Sequence, residues 1–445
     1  MIMGIMKSFV FKLLLVGFAF AGACACGKTD RVDLEEELDP EVVEIPEVPE
    51  TPSNPETPVT PVSPEDLYAY VPIRLTSSDM GIRDASNEFG FNVFGKLIKA
   101  ADGKKDIVFS PLSLSLALSM AAEGAGGETY DQFSSVLGWG EASREEVGAF
   151  YAKMIEGLVT ADKQVSFTCS NSLWADKNLD IKEAYAEQLS KSFAAESFSV
   201  DFALSETLDR INEWCASKTN GKIQKMLDGL DEQTRMMLIN ALLFKAPWSV
   251  EWQVEKDRPF HGSNATAGKD FLHLDGSFYY RRFEDYEMVG VRYGNGLAYE
   301  FDVILPNEGK PVSDIMKSVD SETLRHLSPT PVDLFIPKFS LEYSTGDAFP
   351  QCLEELGLKL PFSGVQADFS GISSEKLSIS KVIQKARVDV SENGTEFAAV
   401  TVIGMDGSAG GEEPKKVVFD ANRPFAFIIR ETDSNAVLLM GTMSE

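Results

Sequence analysis

The sequence predicts an α+β protein. Segments with a helical period of apolar residues crowd its first half, and the apolar or alternating segments typical of strands crowd its second half. The two kinds of segment do not alternate as they would in a parallel βαβ fold. No internal repeat is present, and 445 residues that are 44% hydrophobic suffice for one large or two ordinary domains with a sizeable core.

The predicted helices begin and end at residues that suit helix termini. An amphipathic pattern covers residues 87–100, and a short buried strand follows at 107–109. Ser110 is then the N-cap and Pro111 the first residue of the next helix, which ends at the glycine-rich segment 124–127. Further helices are predicted at residues 143–158, 185–193, 207–219 and 349–356.

The predicted strands are mostly short and lie late in the chain. Residues 236–244 are almost entirely apolar, so we expect a central strand that is buried on both faces. Pro337 lies within the strand predicted at 333–339 and places it at a sheet edge or a bulge. The remaining strands are predicted at 165–174, 198–202, in several pieces between 271 and 305, and at 377–380, 386–390, 425–429 and 437–440.

Residues 1–23 have the features of an export signal. Positive charge accompanies an apolar segment that is too short to be a comfortable membrane span. The small residues before Cys24 resemble a bacterial lipobox, which makes Cys24 the expected lipidation site and Cys26 the alternative. An ordinary secretory signal with two incidental cysteines is the other interpretation.

Residues 24–66 are predicted to be a linker. Their acidic start and proline-rich continuation prevent a packed core and favour an extended chain. We therefore expect a lipid-anchored spacer that holds a globular domain, residues 67–445, away from a membrane. The expected location is the bacterial cell envelope, at the outer membrane or the cell surface.

Charge and residue usage exclude several classes of function. The net charge of −28 argues against nucleic acid or an anionic membrane surface as a partner. Cys169, Cys215 and Cys352 are too widely spaced for a disulfide framework or a zinc site, so buried thiols are expected. The three histidines lack any ligand spacing, so we expect no metal and no cofactor. The chain also lacks a nucleophile elbow and a phosphate-binding loop, so we expect no enzyme.

One segment near the C-terminus suits two different structures. Residues 392–401 carry the small and β-branched side chains of a strand, whereas residues 402–411 carry the Gly, Asp and Ser of an exposed loop. A long loop of this kind in a compact domain is usually functional or disordered. We expect a segment that is able to be either a loop or a strand.

From residue 87 to residue 443 the sequence resembles the serpin family. The resemblance is carried by motifs that occur in the family's order. They are FSPLS at 109–113, GA at 124–125 with Thr129 and Gln132, INEW at 211–214, TNGKI at 219–223, INALLFK at 239–245 with Trp248, DFSGI at 368–372, QKA at 384–386, RPFAF at 423–427 and MG at 440–441.

The resemblance implies both a fold and an activity. The fold would have mostly antiparallel sheets A, B and C, about nine helices and an exposed reactive-centre loop. The activity would be that of a suicide substrate for a serine protease or a cysteine protease. The protease attacks the loop and forms an acyl-enzyme, and the freed front half of the loop inserts into sheet A and distorts the protease.

The resemblance also assigns roles to particular residues. The hinge, at the front of the loop, comprises Glu392, Gly394, Thr395, Glu396, Phe397, Ala398, Ala399, Val400 and Thr401. The shutter, where the strands of sheet A part, comprises Ser110, Ser113, Asn240 and Gln384, and Trp248 belongs to the breach at the top of the sheet. The family usually has His where Gln384 stands, and Gln retains both a donor and an acceptor.

Phe397 departs from the family pattern, which favours Ala at this position. By strand alternation Phe397 lies on the same face as Thr395 and Ala399, and insertion buries that face. A ring there is expected to slow insertion by overpacking, at a cost on the order of 1–3 kcal/mol. Slow insertion lets the acyl-enzyme hydrolyse, so the alternative function is a non-inhibitory serpin-like protein that is cleaved as a substrate or serves as a binding scaffold.

The bond that a protease would cleave is predicted by counting the family's usual hinge length from Gly394. The count gives Ser408–Ala409, and Met405–Asp406 is the alternative. A small residue at the cleaved bond suits elastase-like or subtilisin-like proteases with shallow pockets. No Arg or Lys lies between Gly394 and Gly411, which disfavours trypsin-like targets. The expected partners are one target protease and the lipid anchor's membrane, and the chain is expected to be a monomer.

Overall fold

The computed structural model describes residues 70–101, 105–345, 348–379, 382, 384–395 and 416–445. All of these residues fall in one compact unit, Pro61–Glu445. The predicted signal peptide, both candidate lipidation cysteines and the linker lie outside the described residues. Within the described ranges no helix is long and apolar enough to cross a membrane.

Eight α-helices lie in the described part of the chain, where about nine were expected. They are α1 (Ser77–Ala100), α2 (Pro111–Glu123), α3 (Gly127–Leu137), α4 (Arg144–Thr160), α5 (Glu183–Phe193), α6 (Ser205–Lys218), α7 (Val312–Ile315) and α8 (Ala348–Glu355). Two 3₁₀ turns, Thr323–Arg325 and Leu360–Phe362, accompany them.

Local capping explains where these helices begin. Ser110 is the N-cap of α2 and its side chain accepts a hydrogen bond from the Ser113 amide, as the sequence predicts. Helix α1 begins ten residues before the predicted start, because Thr76 and Asp79 form a capping box there. Helix α3 was not predicted, since its first residues are the glycines that suggested a stop.

Fourteen strands lie in the described residues. They are β1 (Ile107–Phe109), β2 (Ser166–Asp176), β3 (Ala195–Val200), β4 (Met236–Lys245), β5 (Gln253–His261), β6 (Thr266–Arg282), β7 (Tyr286–Tyr293), β8 (Tyr299–Pro306), β9 (Ser328–Pro337), β10 (Phe339–Ser344), β11 (Lys385–Val390), β12 (Val417–Asp420), β13 (Phe425–Glu431) and β14 (Val437–Met443). The prediction of a strand at 377–380 is wrong. Residues 377–379 form no strand, and their apolar side chains line a cavity instead.

The strands form one large sheet and two small ones. The large sheet has the order β1-β14-β13-β8-β7-β6-β9-β12, with β5 paired to β6, and its strands are antiparallel except at the β9–β12 pair. The small sheets are β3-β2-β4 and β10-β11. The main core includes buried side chains of α1 to α5 and of the large sheet, and a second cluster joins α6 to β2 and β4. The predicted α+β class is confirmed.

Strands β4 and β11 correspond to the middle of the expected sheet A, yet no ladder joins them in the described residues. Just beyond the ends of these two strands, Ala246 and Thr395 form an isolated antiparallel bridge. The prediction that both faces of β4 are buried is therefore wrong, since Leu238, Asn240 and Leu242 are only half-buried. We call the space between β4 and the chain from Leu377 to Val390 the sheet A gap.

Candidate functional site: the sheet A gap and its hinge

A tight turn after β11 sends the chain back into the upper end of the sheet A gap. The amide of Ser391 donates to the carbonyl of Gly394, and the amide of Gly394 donates to the carbonyl of Ser391, both at 3.1 Å. Gly394 has φ +109°, and a Cβ at this residue would lie 2.1 Å from the carbonyl oxygen of Ala246. Only glycine fits this turn without displacing the neighbouring backbone.

Thr395, the first hinge residue after the turn, already lies between the two halves of sheet A. Its carbonyl accepts a hydrogen bond of 2.7 Å from the amide of Ala246. Its hydroxyl hydrogen-bonds to the Tyr293 hydroxyl at 2.7 Å, and the residue is 3% exposed. The sequence does not indicate whether the native loop is expelled from sheet A or partly inserted into it. The structure shows that Thr395 is inserted.

Trp248, the predicted breach residue, contacts this turn directly. Its indole Nε1 donates to the carbonyl of Ser391 at 2.7 Å. Its ring stacks on Tyr293 with centroids 4.4 Å apart and an interplanar angle of 9°. Lys338 pairs with Glu392 at 2.7 Å and lowers the pKa of that carboxyl through its hydrogen bond. The turn is therefore held by an aromatic stack and an ion pair.

The four predicted shutter residues meet at the first turn of α2. On one side, Ser113 donates from its hydroxyl to the side-chain oxygen of Asn240 on β4. On the other side, the Gln384 amide oxygen accepts from the Ser110 amide at 2.8 Å, and its nitrogen donates to the Ser110 carbonyl at 2.9 Å. The two halves of the divided sheet therefore bind α2 three residues apart. The role of these residues in strand parting stays a prediction.

Asn240 also connects β4 to β2. Its side-chain nitrogen donates to the oxygen of Asn171 at 2.7 Å and lies 3.2 Å from the Cys169 sulfur. Burial raises the pKa of the Cys169 thiol to about 12, so that thiol is neutral. Cys169, Cys215 and Cys352 are all buried and unpaired, which confirms the prediction of buried thiols.

The lower end of the sheet A gap encloses a cavity of about 310 Å³. Helix α2, strand β4 and the chain at 377–379 form its walls. The apolar side chains that line it include Leu114, Leu118, Met236, Leu238, Leu377 and Ile379. At the upper end, between β4 and β11, only about 20 Å³ remains.

Polar contacts from the connection between α6 and β4 also cross the gap. Lys222 pairs with Asp389 of β11 at 3.2 Å, and Lys385 of β11 donates to the carbonyl of Lys225. Burial opposes ionisation of Asp389, but hydrogen bonds from Arg387, Ser340 and Lys222 hold its pKa below the ordinary value. These contacts must break or move if another strand is to enter between β4 and β11.

The remaining predicted site residues lie outside the described residues. They are hinge residues Glu396, Phe397, Ala398, Ala399, Val400 and Thr401, and the candidate cleavage residues Met405, Asp406, Ser408 and Ala409. Sequence reasoning assigned no role to Tyr293 or Lys222, because their contacts with Thr395 and Asp389 join residues 102 and 167 positions apart and leave no local signal. In the described ranges no cluster of three or more His, Cys, Asp or Glu side chains is suited to hold a metal ion.

A divided sheet A, a large mixed sheet and a hinge that turns back toward the gap define a serpin-type fold. The profile of the serpin (serine protease inhibitor) family matches residues 84–445, and the chain therefore belongs to the serpin family. Members of this family are generally protease inhibitors rather than enzymes.

Individual relatives agree with this assignment. Iripin-2 of Ixodes ricinus is 32% identical over 375 residues, which cover 81% of this chain and 92% of that protein. A serpin-like protein of Thermococcus kodakarensis is 31% identical over 368 residues, covering 81% of this chain and 84% of its own. The native structure of the thermophilic serpin tengpin superposes with a TM-score of 0.74 at 28% identity, over 84% of this chain and 95% of tengpin.

Proposed function

We propose that this protein inhibits a serine protease as a suicide substrate. The protease's serine attacks the scissile carbonyl of the reactive-centre loop, and the amine side of the cleaved bond leaves as an acyl-enzyme forms. The loop, freed at its cut end, inserts into the sheet A gap and carries the protease with it before hydrolysis is complete. The single observation that carries this proposal is Thr395, already buried between the two halves of sheet A.

The bridge between Ala246 and Thr395 defines a register for the rest of the inserted strand. In an antiparallel pair, each step forward on one strand is a step back on the other. Phe397 would then oppose Phe244, and Ala399 would oppose Leu242. Because side chains alternate, Phe397 would enter the same core-facing side as the Thr395 side chain.

That side is already crowded where Phe397 would arrive. Phe244 packs against Tyr293 and Tyr299 with ring centroids 5.2 and 5.3 Å apart, and it is 6% exposed. Insertion of another ring requires these aromatic side chains to move, at a cost on the order of 1–3 kcal/mol. Phe397 would therefore let part of the protein be cleaved and released as an ordinary substrate before the loop inserts. Cleavage as a substrate is the second candidate function.

The loop sequence suggests the class of target. Cleavage at Ser408–Ala409 would suit an elastase-like or subtilisin-like protease, and cleavage at Met405–Asp406 would suit one that accepts a larger apolar residue. A cysteine protease is the other partner class that the mechanism allows, because it also forms an acyl-enzyme.

The proposed setting is the bacterial cell envelope. The N-terminal segment supports export and lipidation at Cys24, or alternatively at Cys26, followed by a spacer at residues 24–66. A monomeric inhibitor held on the outer membrane or the cell surface would meet proteases from outside the cell. Mass spectrometry of the membrane-extracted protein tests this: a diacylated or triacylated N-terminal cysteine supports it, and an unmodified N-terminus overturns it.

A gel experiment tests the proposed mechanism. The unit Pro61–Glu445 is incubated with an elastase-like and a subtilisin-like protease, and the products are separated under denaturing conditions. A complex that survives denaturation, together with loss of protease activity, is the expected result. Cleavage with full protease activity retained would leave the substrate or scaffold function in place. Mass spectrometry of the released peptide identifies the cleaved bond.

A further inference from the structure

The cavity at the lower end of the sheet A gap has the size and walls of a small-molecule site. Its volume of about 310 Å³ lies at the lower limit of ligand pockets, which span roughly 300–1,000 Å³. Leu114 and Leu118 of α2 form one wall, and Met236 and Leu238 of β4 form another. An apolar chain between these walls would be shielded from water on several sides.

The inner end of the cavity offers little to a polar ligand group. Ser113, Asn240 and Gln384 lie there, but their polar atoms already bond to one another, to the Ser110 backbone or to Asn171. The rest of the lining combines polar side chains, among them Gln233, Thr234 and Ser378, with the apolar walls of α2 and β4, and an alkyl chain would lie against those walls. The inner part of the ligand should be apolar.

The rim carries cations, although the protein as a whole is acidic. Residues 70–445 hold 56 acidic and 37 basic residues, a net charge of −19. The charged side chains that line the cavity are Asp231, Arg235 and Lys376. Arg235 is already paired with Asp176 and Glu375, both at 2.7 Å. Lys376 is exposed at the rim, which makes it the cation best placed to meet an anionic headgroup.

We propose that this cavity binds an amphipathic anion with a single alkyl chain, of the fatty-acid class. The alkyl chain lies between α2 and β4, and the carboxylate lies at the rim beside Lys376. Apolar burial supplies most of the binding, and the charge-assisted contact fixes the orientation.

Such a ligand would control inhibition, a consequence that rests on the proposed function. In the register of the Ala246–Thr395 bridge, Ile403 would oppose Leu238 and Met405 would oppose Met236. Both of these β4 side chains line the cavity, so a bound alkyl chain and the inserted loop compete for the same space. Occupancy would turn the inhibitor into a substrate.

Calorimetry with decanoate tests the binding itself. The described fold lies entirely within Pro61–Glu445, so this unit is titrated with decanoate and, as the neutral control, with decanol, both below their micellar concentrations. We expect one decanoate per chain and about two- to fivefold weaker binding of decanol, because a charge contact at an exposed lysine contributes only modestly. No saturable decanoate binding would overturn the proposal.

Matched variants locate the site. Ala117 lines the cavity, and Ala117→Phe should abolish decanoate binding by filling it. Lys376→Glu should weaken decanoate binding about fivefold, because it replaces an attraction by a repulsion, and should leave decanol binding unchanged. Lys359→Glu, an exposed lysine outside the cavity, is the control that should change neither. Unchanged decanoate binding in a folded Lys376→Glu variant would overturn the proposed orientation, and unchanged binding in both test variants would overturn the site.

Two further measurements separate this proposal from the proposed function. Decanoate should raise the share of cleaved chain over protease complex on denaturing gels, and it should do so less in Lys376→Glu. If no protease forms a complex, the proposed function fails while calorimetry still decides the ligand site. If a peptide with the sequence of residues 396–405 binds and decanoate does not, the gap admits only strands and the ligand proposal fails.

Discussion

The upper and lower ends of the sheet A gap differ in how fully they are packed. At the upper end Thr395 is already inserted and about 20 Å³ of space remains, whereas the lower end encloses about 310 Å³. A strand that enters from the hinge must therefore pass the crowded region first. Under the proposed mechanism, the barrier to insertion would therefore belong to the residues directly after Thr395, while the later residues would fill space that already exists.

Different elements supply the hydrogen bonds at the two ends of the gap. The upper end is held by the hinge itself, through the turn at Gly394 and the Thr395–Tyr293 bond. The lower end is held by α2, through Gln384 on one side and Asn240 on the other. A substitution at either end should lower the stability of the native protein, and one at the upper end should also change the start of insertion.

The largest effect is expected at Gly394. An alanine Cβ would lie 2.1 Å from the Ala246 carbonyl oxygen at φ +109°, so Gly394→Ala should expel Thr395 from its buried position. We expect a loss on the order of 2–4 kcal/mol in the free energy of unfolding, from backbone strain and the lost contacts. Hydrogen exchange of the Ala246 amide, which donates to Thr395, should accelerate.

Gly95 provides the matched control for this variant. It lies inside α1, and a Cβ there would meet no atom within 4 Å. Gly95→Ala should stabilise the protein by about 0.5–1 kcal/mol, because alanine is the better helix former. A Gly394→Ala variant with a protected Ala246 amide would contradict the role of glycine at the hinge.

The next effect is expected at the shutter. Gln384→Ala would leave the buried amide of Ser110 without its partner, whereas the Ser110 carbonyl would keep its bond from the Leu114 amide. The expected loss is about 1–3 kcal/mol in urea unfolding, the usual cost of one unsatisfied buried group. Gln384→His, the residue usual in the family, should lose less. Gln351→Ala, on the exposed surface of α8, is the control and should change stability by less than about 0.5 kcal/mol.

Phe397→Ala tests the crowding at the upper end directly. Removal of the ring should lower the insertion barrier by about 1–3 kcal/mol, which corresponds to roughly 5- to 150-fold in rate. The share of denaturation-resistant complex over cleaved chain should rise accordingly. Val400→Ala, on the opposite face of the inserted strand, is the matched control and should change the ratio little. An unchanged ratio in Phe397→Ala would overturn the steric argument.

Tyr293→Phe should have a smaller effect at the same end. It removes one hydrogen bond to the Thr395 hydroxyl and keeps the ring that stacks on Trp248. We expect a loss of about 0.5–1.5 kcal/mol, with faster exchange at the hinge and little change at the shutter. Equal exchange changes at both ends would show that the two ends are coupled and do not open separately.

Local features of the fold were predictable from the sequence. Ser110 and Pro111 start α2 as expected, because capping depends on residues within one turn. The start of α1 was missed although Thr76 and Asp79 form the same kind of local signal, since the amphipathic pattern was traced only from residue 87. Helix α3 was missed because glycine at its first turn resembles a stop.

Long-range features of the site were only partly predictable. Resemblance grouped Ser110 with Gln384, residues 274 positions apart, but it gave no bonds between them. The half-buried face of β4 contradicts the expectation from its apolar composition. In the described residues no strand is paired to one edge of β4, and core-facing side chains of β4 therefore line a cavity. The amino-acid composition of a strand indicates whether its side chains suit burial. It does not indicate whether another strand is hydrogen-bonded beside it.

The smallest predicted effect concerns the ion pair that crosses the upper end. Lys222 and Asp389 lie 3.2 Å apart with side chains 27% and 24% exposed, so the pair is worth about 0.5–1 kcal/mol. Lys222→Gln should therefore speed loop insertion about two- to fivefold, and added salt should reduce the difference. Lys225→Gln is the control, because the side chain of Lys225 pairs with exposed Asp228.

The pH dependence of this pair follows from the carboxylate. Hydrogen bonds hold the pKa of Asp389 below its ordinary value despite burial. An acid with a lowered folded pKa stabilises the native state above its unfolded pKa, about 3.9, and loses that contribution as the pH falls through the folded value. The pair should thus persist at neutral pH and break only in strong acid, where Lys222→Gln and the unmodified chain should insert at the same rate. A rate difference that vanishes already near pH 6 would show that a group other than Asp389 holds the upper end closed.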